Sequence, residues 1–121
     1  MRLVAIRGAT TADADTPEEI VGKTATLLQK MMTLNGVRPD DLVSIIFTAT
    51  EDITAEFPAA GARAIGLVDV PLLGAREMSV DGSPARCIRV LMHCYSDKSR
   101  SEIRHVYEGE AKRLREDLAK G

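Results

Sequence analysis

Hydrophobic residues fall along this chain in distinguishable rhythms. Between Pro17 and Leu34 they recur at helical spacing. Ile20, Thr24, Leu27, Met31 and Leu34 form one stripe, with Val21, Leu28 and Met32 beside it. Thr16-Pro17-Glu18-Glu19 adds an N-cap, a proline at the first helical position and a capping-box glutamate at the third; Asn35-Gly36 adds a stop. The spacing predicts a helix over 17–34. Leu42 to Thr50 is a near-continuous apolar run rich in β-branched residues, the signature of an internal strand. Residues 86–95 alternate instead. Ile88, Val90, Met92 and Cys94 make an apolar face suited to packing on the long helix, while Cys87, Arg89, Leu91, His93 and Tyr95 make a mixed one.

The remaining segments carry weaker patterns. Residues 2–8 read as a strand with Arg2, Val4 and Ile6 on one side and Leu3, Ala5 and Arg7 on the other. Gly8 then marks a bend or a close backbone approach. A short helix is predicted over Phe57–Ile65, a short strand over Leu67–Val70 stopped by Pro71, and a turn at Asp81-Gly82-Ser83-Pro84. From Ser101 onward two readings stand. Ile103, Tyr107, Ala111, Leu114 and Leu118 fit one helical stripe; a short helix, an extended stretch at His105-Val106-Tyr107 and a final turn fit as well. The order β-α-β-α-β-β predicts an α+β fold in which a mixed sheet packs on one long helix. A single covering helix leaves the other sheet face to meet water, a ligand or a further subunit, and a homo-oligomer built through that face follows naturally.

Composition narrows the class. The 121 residues are one domain's length, with no repeat or linker, and can sustain one core without staples. A net charge of −2 with no basic run, and only 3% aromatics, argue against a nucleic-acid partner. The N-terminus, Met1-Arg2-Leu3-Val4-Ala5-Ile6-Arg7, is too short and too charged for a signal sequence, and no membrane span is expected. Cys87 and Cys94, seven apart on one strand, lie on opposite faces about 23 Å apart and cannot bridge each other. Two unpaired thiols fit a reducing cytoplasm.

Arg89 stands out chemically. A guanidinium in mid-strand among apolar neighbours must be paired, so it is either a structural ion pair (or an edge side chain reaching solvent) or part of an anion site. Arg7, before Gly8, reads first as a solvated strand end, and Glu77 as a surface carboxylate. His93 and His105 have no metal-ligand spacing with the cysteines or each other, so no metal is expected. There is no glycine-rich phosphate loop and no activated nucleophile motif. What remains is arginines, one or two carboxylates and a tyrosine, a set suited to binding a polyanion without covalent chemistry.

Several motifs, taken in order, closely resemble the trimeric α/β chorismate mutases. They are Arg7-Gly8-Ala9-Thr10-Thr11, Asp15-Thr16-Pro17-Glu18, Phe47-Thr48-Ala49-Thr50-Glu51-Asp52, Phe57-Pro58-Ala59 with Arg63, and Val70-Pro71-Leu72 leading to Arg76-Glu77-Met78. Cys87-Ile88-Arg89-Val90-Leu91-Met92, Ile103-Arg104-His105-Val106-Tyr107 and Leu114-Arg115 complete the set. The resemblance implies a homotrimeric pseudo-α/β-barrel with active sites at subunit clefts. The implied reaction is the Claisen rearrangement of chorismate to prephenate, which needs no cofactor. It assigns Arg89 to the breaking ether oxygen, Glu77 to the ring hydroxyl, and Arg7 and Tyr107 to a substrate carboxylate. Phe57, Ala59, Leu72 and Leu73 become pocket-wall positions, Gly74 is left with at most its backbone N–H to meet substrate, and Arg63 and Arg115 become mouth or tail positions. Ala60 stands where some relatives have lysine, Gly74 where they have cysteine, and Glu116 where they often have proline. The alternatives are a Rid-type enamine/imine deaminase, which also places an arginine in intersubunit clefts, and a non-catalytic trimeric binder of small carboxylates.

Overall fold

The computed structural model describes residues 1–114. Its elements are β1 (Arg2–Thr11), α1 (Pro17–Asn35), β2 (Leu42–Ala49), α2 (Ala59–Ala64), β3 (Leu72–Arg76), β4 (Cys87–Ser96) and β5 (Val106–Tyr107). Single 3-10 turns lie at Pro39–Asp41, Arg100–Glu102 and Gly109–Ala111. The five strands form one mixed sheet in the order β3-β2-β4-β1-β5. β4 runs antiparallel to both β1 and β2, and the two edge strands, β3 and β5, run parallel to their neighbours. Among the described residues, no helix is long and apolar enough to cross a membrane.

Local chemistry sets the ends of α1. Thr16 is extended and its hydroxyl accepts from the Glu19 N–H at 3.2 Å. The Glu19 carboxylate does not close the capping box on Thr16; it accepts from the Asp13 N–H at 2.8 Å and so pins the approaching chain. At the other end Gly36 takes the left-handed conformation (φ 62) and donates to the carbonyls of α1's last turn. Between these caps Ile20, Leu27, Leu28 and Met31 are wholly buried against Ile6, Ile45, Phe47, Ile88 and Met92 of the sheet. Each such side chain contributes about 1.5–3 kcal/mol relative to leaving it in water.

The alternation read in residues 86–95 is observed: Ile88, Val90, Met92 and Cys94 all join this core. The strand begins at Cys87 rather than Arg86 because Arg86 is in the left-handed region (φ 47), held there by Asp52 accepting from its N–H and by its own Nε donating to the Ala12 carbonyl, both at 2.9 Å. β1 is longer than the pattern predicted. Gly8 does not bend it; pairing with β4 continues to Thr11↔Cys87. Close approach is what Gly8 provides, since a Cβ there would overlap the Met31 sulfur.

The strand expected over 67–70 is not formed. Leu67 instead caps α2, its N–H donating to the Ala62 carbonyl at 3.0 Å while its side chain is buried in the core, and Val68 faces solvent. The strand comes after Pro71, at Leu72–Arg76, where parallel pairing with Ile45–Ala49 compensates for a weak local propensity. After Ser101 the segmented reading holds. A 3-10 turn, the two-residue β5 and a second 3-10 turn follow in order, so one continuous helical stripe from Ile103 is excluded, and helix begins only at Lys112. Leu118 lies outside the described residues. Cys87 and Cys94 are both free and buried.

Candidate active site

The sheet has a covered face and an open one. Because partners opposite each other in register share a face, Arg7 and Ala9 (β1), Thr48 (β2), Arg89 and Leu91 (β4) and Tyr107 (β5) all project away from α1. They line a cleft of about 560 Å³, joined by Glu77 just beyond β3 and by Leu114. The four residues singled out as catalytic, Arg7, Glu77, Arg89 and Tyr107, are therefore together, although they come from four separate stretches of chain.

Register explains how Arg89 fits. Its cross-strand neighbours are Ala9 on one side and Thr48 on the other, both too small to cover it. Glu77 stands 3.6 Å from its Nε, and the Glu77 carboxylate in turn accepts from the Thr48 hydroxyl at 2.8 Å. The chain Thr48–Glu77–Arg89 orients both charged groups. Arg89 remains about half exposed, at 48%, and Glu77 is 23% exposed. An ion pair this open contributes little to folding, so the pairing expected for a mid-strand arginine is present but lies in a cleft rather than in the core. The guanidinium's remaining donors are on its terminal nitrogens, available to an anion.

Arg7 is fixed through its backbone, where its N–H donates to His105 Nδ1 at 2.9 Å. No carboxylate of the described residues pairs with its side chain. Tyr107 packs with Leu114 against the small cluster of Ala9, Cys87 and Ala111. Burial pushes the Cys87 thiol up, against the opposing pull of Arg89, so it is a poor nucleophile. Two guanidiniums, one carboxylate and a phenol suit recognition of a molecule with more than one carboxylate and a hydroxyl.

The pocket-wall residues lie elsewhere in this chain. Phe57 and Gly74 line a second cleft of about 490 Å³ with Thr54, Ala55 and Arg76, on the α1 side of the β2–β3 edge. Ala59, Arg63, Leu72 and Leu73 line neither cleft. Ala59 and Arg63 ride on α2, Leu72 packs against the core, and Leu73 is largely exposed at the sheet edge. Arg115 and Glu116 lie outside the described residues. Thr48, Ile46, Leu91 and Leu114 were not singled out from sequence. For Thr48 a signal existed, since alternation in β2 puts it on the face opposite the buried Phe47.

Comparison with known proteins identifies the family. The family model described as chorismate mutase type I matches residues 3–118. The chain belongs to the chorismate mutase type I family. It is 52% identical over 114 residues to the chorismate mutase AroH of Thermus thermophilus, covering 93% of each chain. It is 42% identical over 120 residues to that of Bacillus subtilis (strain 168), covering 98% of this chain and 94% of the relative. Among solved structures, a chorismate mutase from Clostridium thermocellum superimposes with a TM-score of 0.90 at 48% identity, over 92% of this chain and 99% of that one. The match decides against the Rid-type deaminase alternative.

Proposed function

We propose that this chain is a cytoplasmic chorismate mutase, rearranging chorismate to prephenate in phenylalanine and tyrosine biosynthesis, and that it works as a homotrimer. The observation that carries the reading is the Arg89–Glu77 pair, set half-exposed in a cleft that also holds Arg7 and Tyr107. Chorismate is a dianion whose enolpyruvyl arm must fold over its ring. As the ether C–O bond breaks ahead of C–C bond formation, negative charge grows on the ether oxygen. Arg89 donates to that oxygen. Being fixed before the reaction begins, it favours the transition state over the ground state. Glu77 accepts from the ring hydroxyl, and Arg7 with Tyr107 holds a carboxylate. Holding the reactive conformer removes a conformational search from the barrier. No proton transfer, metal or cofactor is required.

The separation of the two clefts supports a site shared between subunits. Phe57 and Gly74 lie on the other side of the sheet from Arg89, so one chain does not bring the two sets together. In the proposed trimer a neighbour's second cleft, with Phe57 and Gly74, closes over the open face, Ala59, Leu72 and Leu73 stand behind it, and Arg63 and Arg115 lie at the mouth.

The test is loss of chorismate absorbance with the purified chain and no added metal or cofactor, with mass by sedimentation. Rapid conversion to prephenate by a trimer is expected; decay at the spontaneous rate would refute the reading. A mixing experiment addresses the shared cleft. Arg89→Ala and Gly74→Trp chains, each inactive alone, should regain activity when co-assembled, since some clefts then combine an intact half from each. No atom lies within 4 Å of a Cβ at Gly74, and thermal unfolding of the Gly74→Trp chain checks that the fold is kept. Failure of the mixed trimers to recover would place both halves in one subunit.

A further inference from the structure

β5 is only two residues long, yet it carries Tyr107. What holds it is a substituted rung in the ladder. The Glu108 N–H donates to the Ala9 carbonyl at 2.9 Å, so the polar groups of residue 9 face β5 and, two positions back, those of Arg7 do too. In the register Gly8↔Val106, the Arg7 N–H would look for the carbonyl of residue 104. The donor found at that carbonyl is a side chain, not Arg7. Asn35, 2% exposed at the end of α1, donates from Nδ2 to the carbonyls of Arg104 and Met31, both at 2.8 Å. Its Oδ1 accepts from the Arg104 N–H, again at 2.8 Å. The Arg7 N–H turns instead to His105 Nδ1 at 2.9 Å. An accepting Nδ1 carries no proton, so the ring is the neutral tautomer with its hydrogen on Nε2.

We infer that Asn35 and His105 are positioning residues. Asn35 clamps the chain at Arg104, and the His105 ring bonds the Arg7 backbone, so that Arg7 and Tyr107 are held as diagonal neighbours on one face of adjacent strands. This rests on the reading above, in which those two side chains hold a substrate carboxylate. The latch has a definite pH sense. Arg7 is the charged group on β1 that faces the ring. α1 contributes the neutral Asn35 and Lys30, the latter 3.6 Å from Glu108 on the same segment as His105 and Arg104. Burial first, and the Arg7 charge second, hold His105 below its ordinary value. Protonation would set an Nδ1–H against the Arg7 N–H, so the latch is closed at neutral pH and opens only as pH falls below about 6.5.

The experiment compares His105→Phe, which removes the acceptor at similar bulk, with His105→Asn, whose Oδ1 replaces Nδ1 at the same branch point. With chorismate as substrate, kcat/KM of the Phe variant should fall by up to about 10²-fold, the scale of a misplacement of about 1 Å. The Asn variant should recover most of it and lose the fall in kcat/KM that the parent shows on the acid side. Parental activity in the Phe variant, or an Asn variant no better than Phe, would overturn the inference. Should the Phe variant not fold, the pH profile of the Asn variant decides: an acid limb unchanged from the parent overturns it. Hydrogen exchange at the Arg7 amide separates this inference from the functional reading. If the parent does not turn chorismate over, that reading falls, and the latch stands or falls on whether Arg7 loses protection in the Phe variant.

Discussion

The two faces of β4 differ in what they are built to do, although every second residue of the strand belongs to each. On one face Ile88, Val90, Met92 and Cys94 are at most 3% exposed and touch α1 or its neighbours. On the other, Arg89 is half exposed, His93 shares a 3.3 Å contact with the Ser44 hydroxyl, and Tyr95 is 49% exposed. The covered face gains its stability from area removed from water. The open face keeps a guanidinium at a position where an aliphatic side chain would fit the strand better. It does so with small neighbours and a carboxylate that is itself held by Thr48. Fold and chemistry are thus separated by a single residue step, and substitutions on the two faces should fail in different ways.

The largest effect is expected on the covered face. Phe47 is wholly buried between β2's neighbours and the core, so Phe47→Ala should destabilise the chain by about 3–5 kcal/mol. Thermal unfolding checks this; a loss under about 1 kcal/mol would mean the core closes over the gap far better than cores usually do.

The smallest effect concerns the loop that leads from β2 to Phe57, away from both faces. Asp15, next to the cap of α1, accepts from the Thr54 hydroxyl at 2.7 Å and from the Thr54 and Ala55 N–H groups, which ties down the approach to Phe57. The Thr54 hydroxyl first, then those N–H groups, hold its carboxyl below the ordinary value. Its contribution is therefore fully present above the unfolded value of about 3.9 and is lost as pH falls through the lower folded value. Asp15→Ala should lower the melting temperature slightly at neutral pH, and the gap to the parent should close below about pH 4. A gap that persists in strong acid would show that the tie is not electrostatic.

How much could be read beforehand follows the same division. The helix over 17–34 and the strand over 86–95 were legible because caps and period are local, and α1 and β4 appear with nearly the predicted bounds. β3 was not. Leu72-Leu73-Gly74-Ala75-Arg76 has little strand propensity of its own and exists through pairing with a strand some 27 residues earlier, Ile45↔Leu72 in register. Residues 67–70 looked like a strand because a helix-capping leucine and a short apolar run imitate one. In the site, Arg89 was visible as a cation among apolar residues, but its grouping with Arg7, Glu77 and Tyr107 came from the family motifs. The roles of Thr48, Asn35 and His105 depend on cross-strand register and on which side chains stand in for backbone partners. No local pattern reports those.

The most direct test places two variants of adjacent residues side by side, measuring chorismate turnover and thermal unfolding for each. Arg89→Ala should lose on the order of 10²–10³ in kcat while unfolding near the parental temperature. Ile88→Ala should lose about 2–5 kcal/mol of stability while keeping kcat below its unfolding transition. An Arg89→Ala chain that unfolds early, or that turns chorismate over at the parental rate, would contradict the assignment of the open face to chemistry.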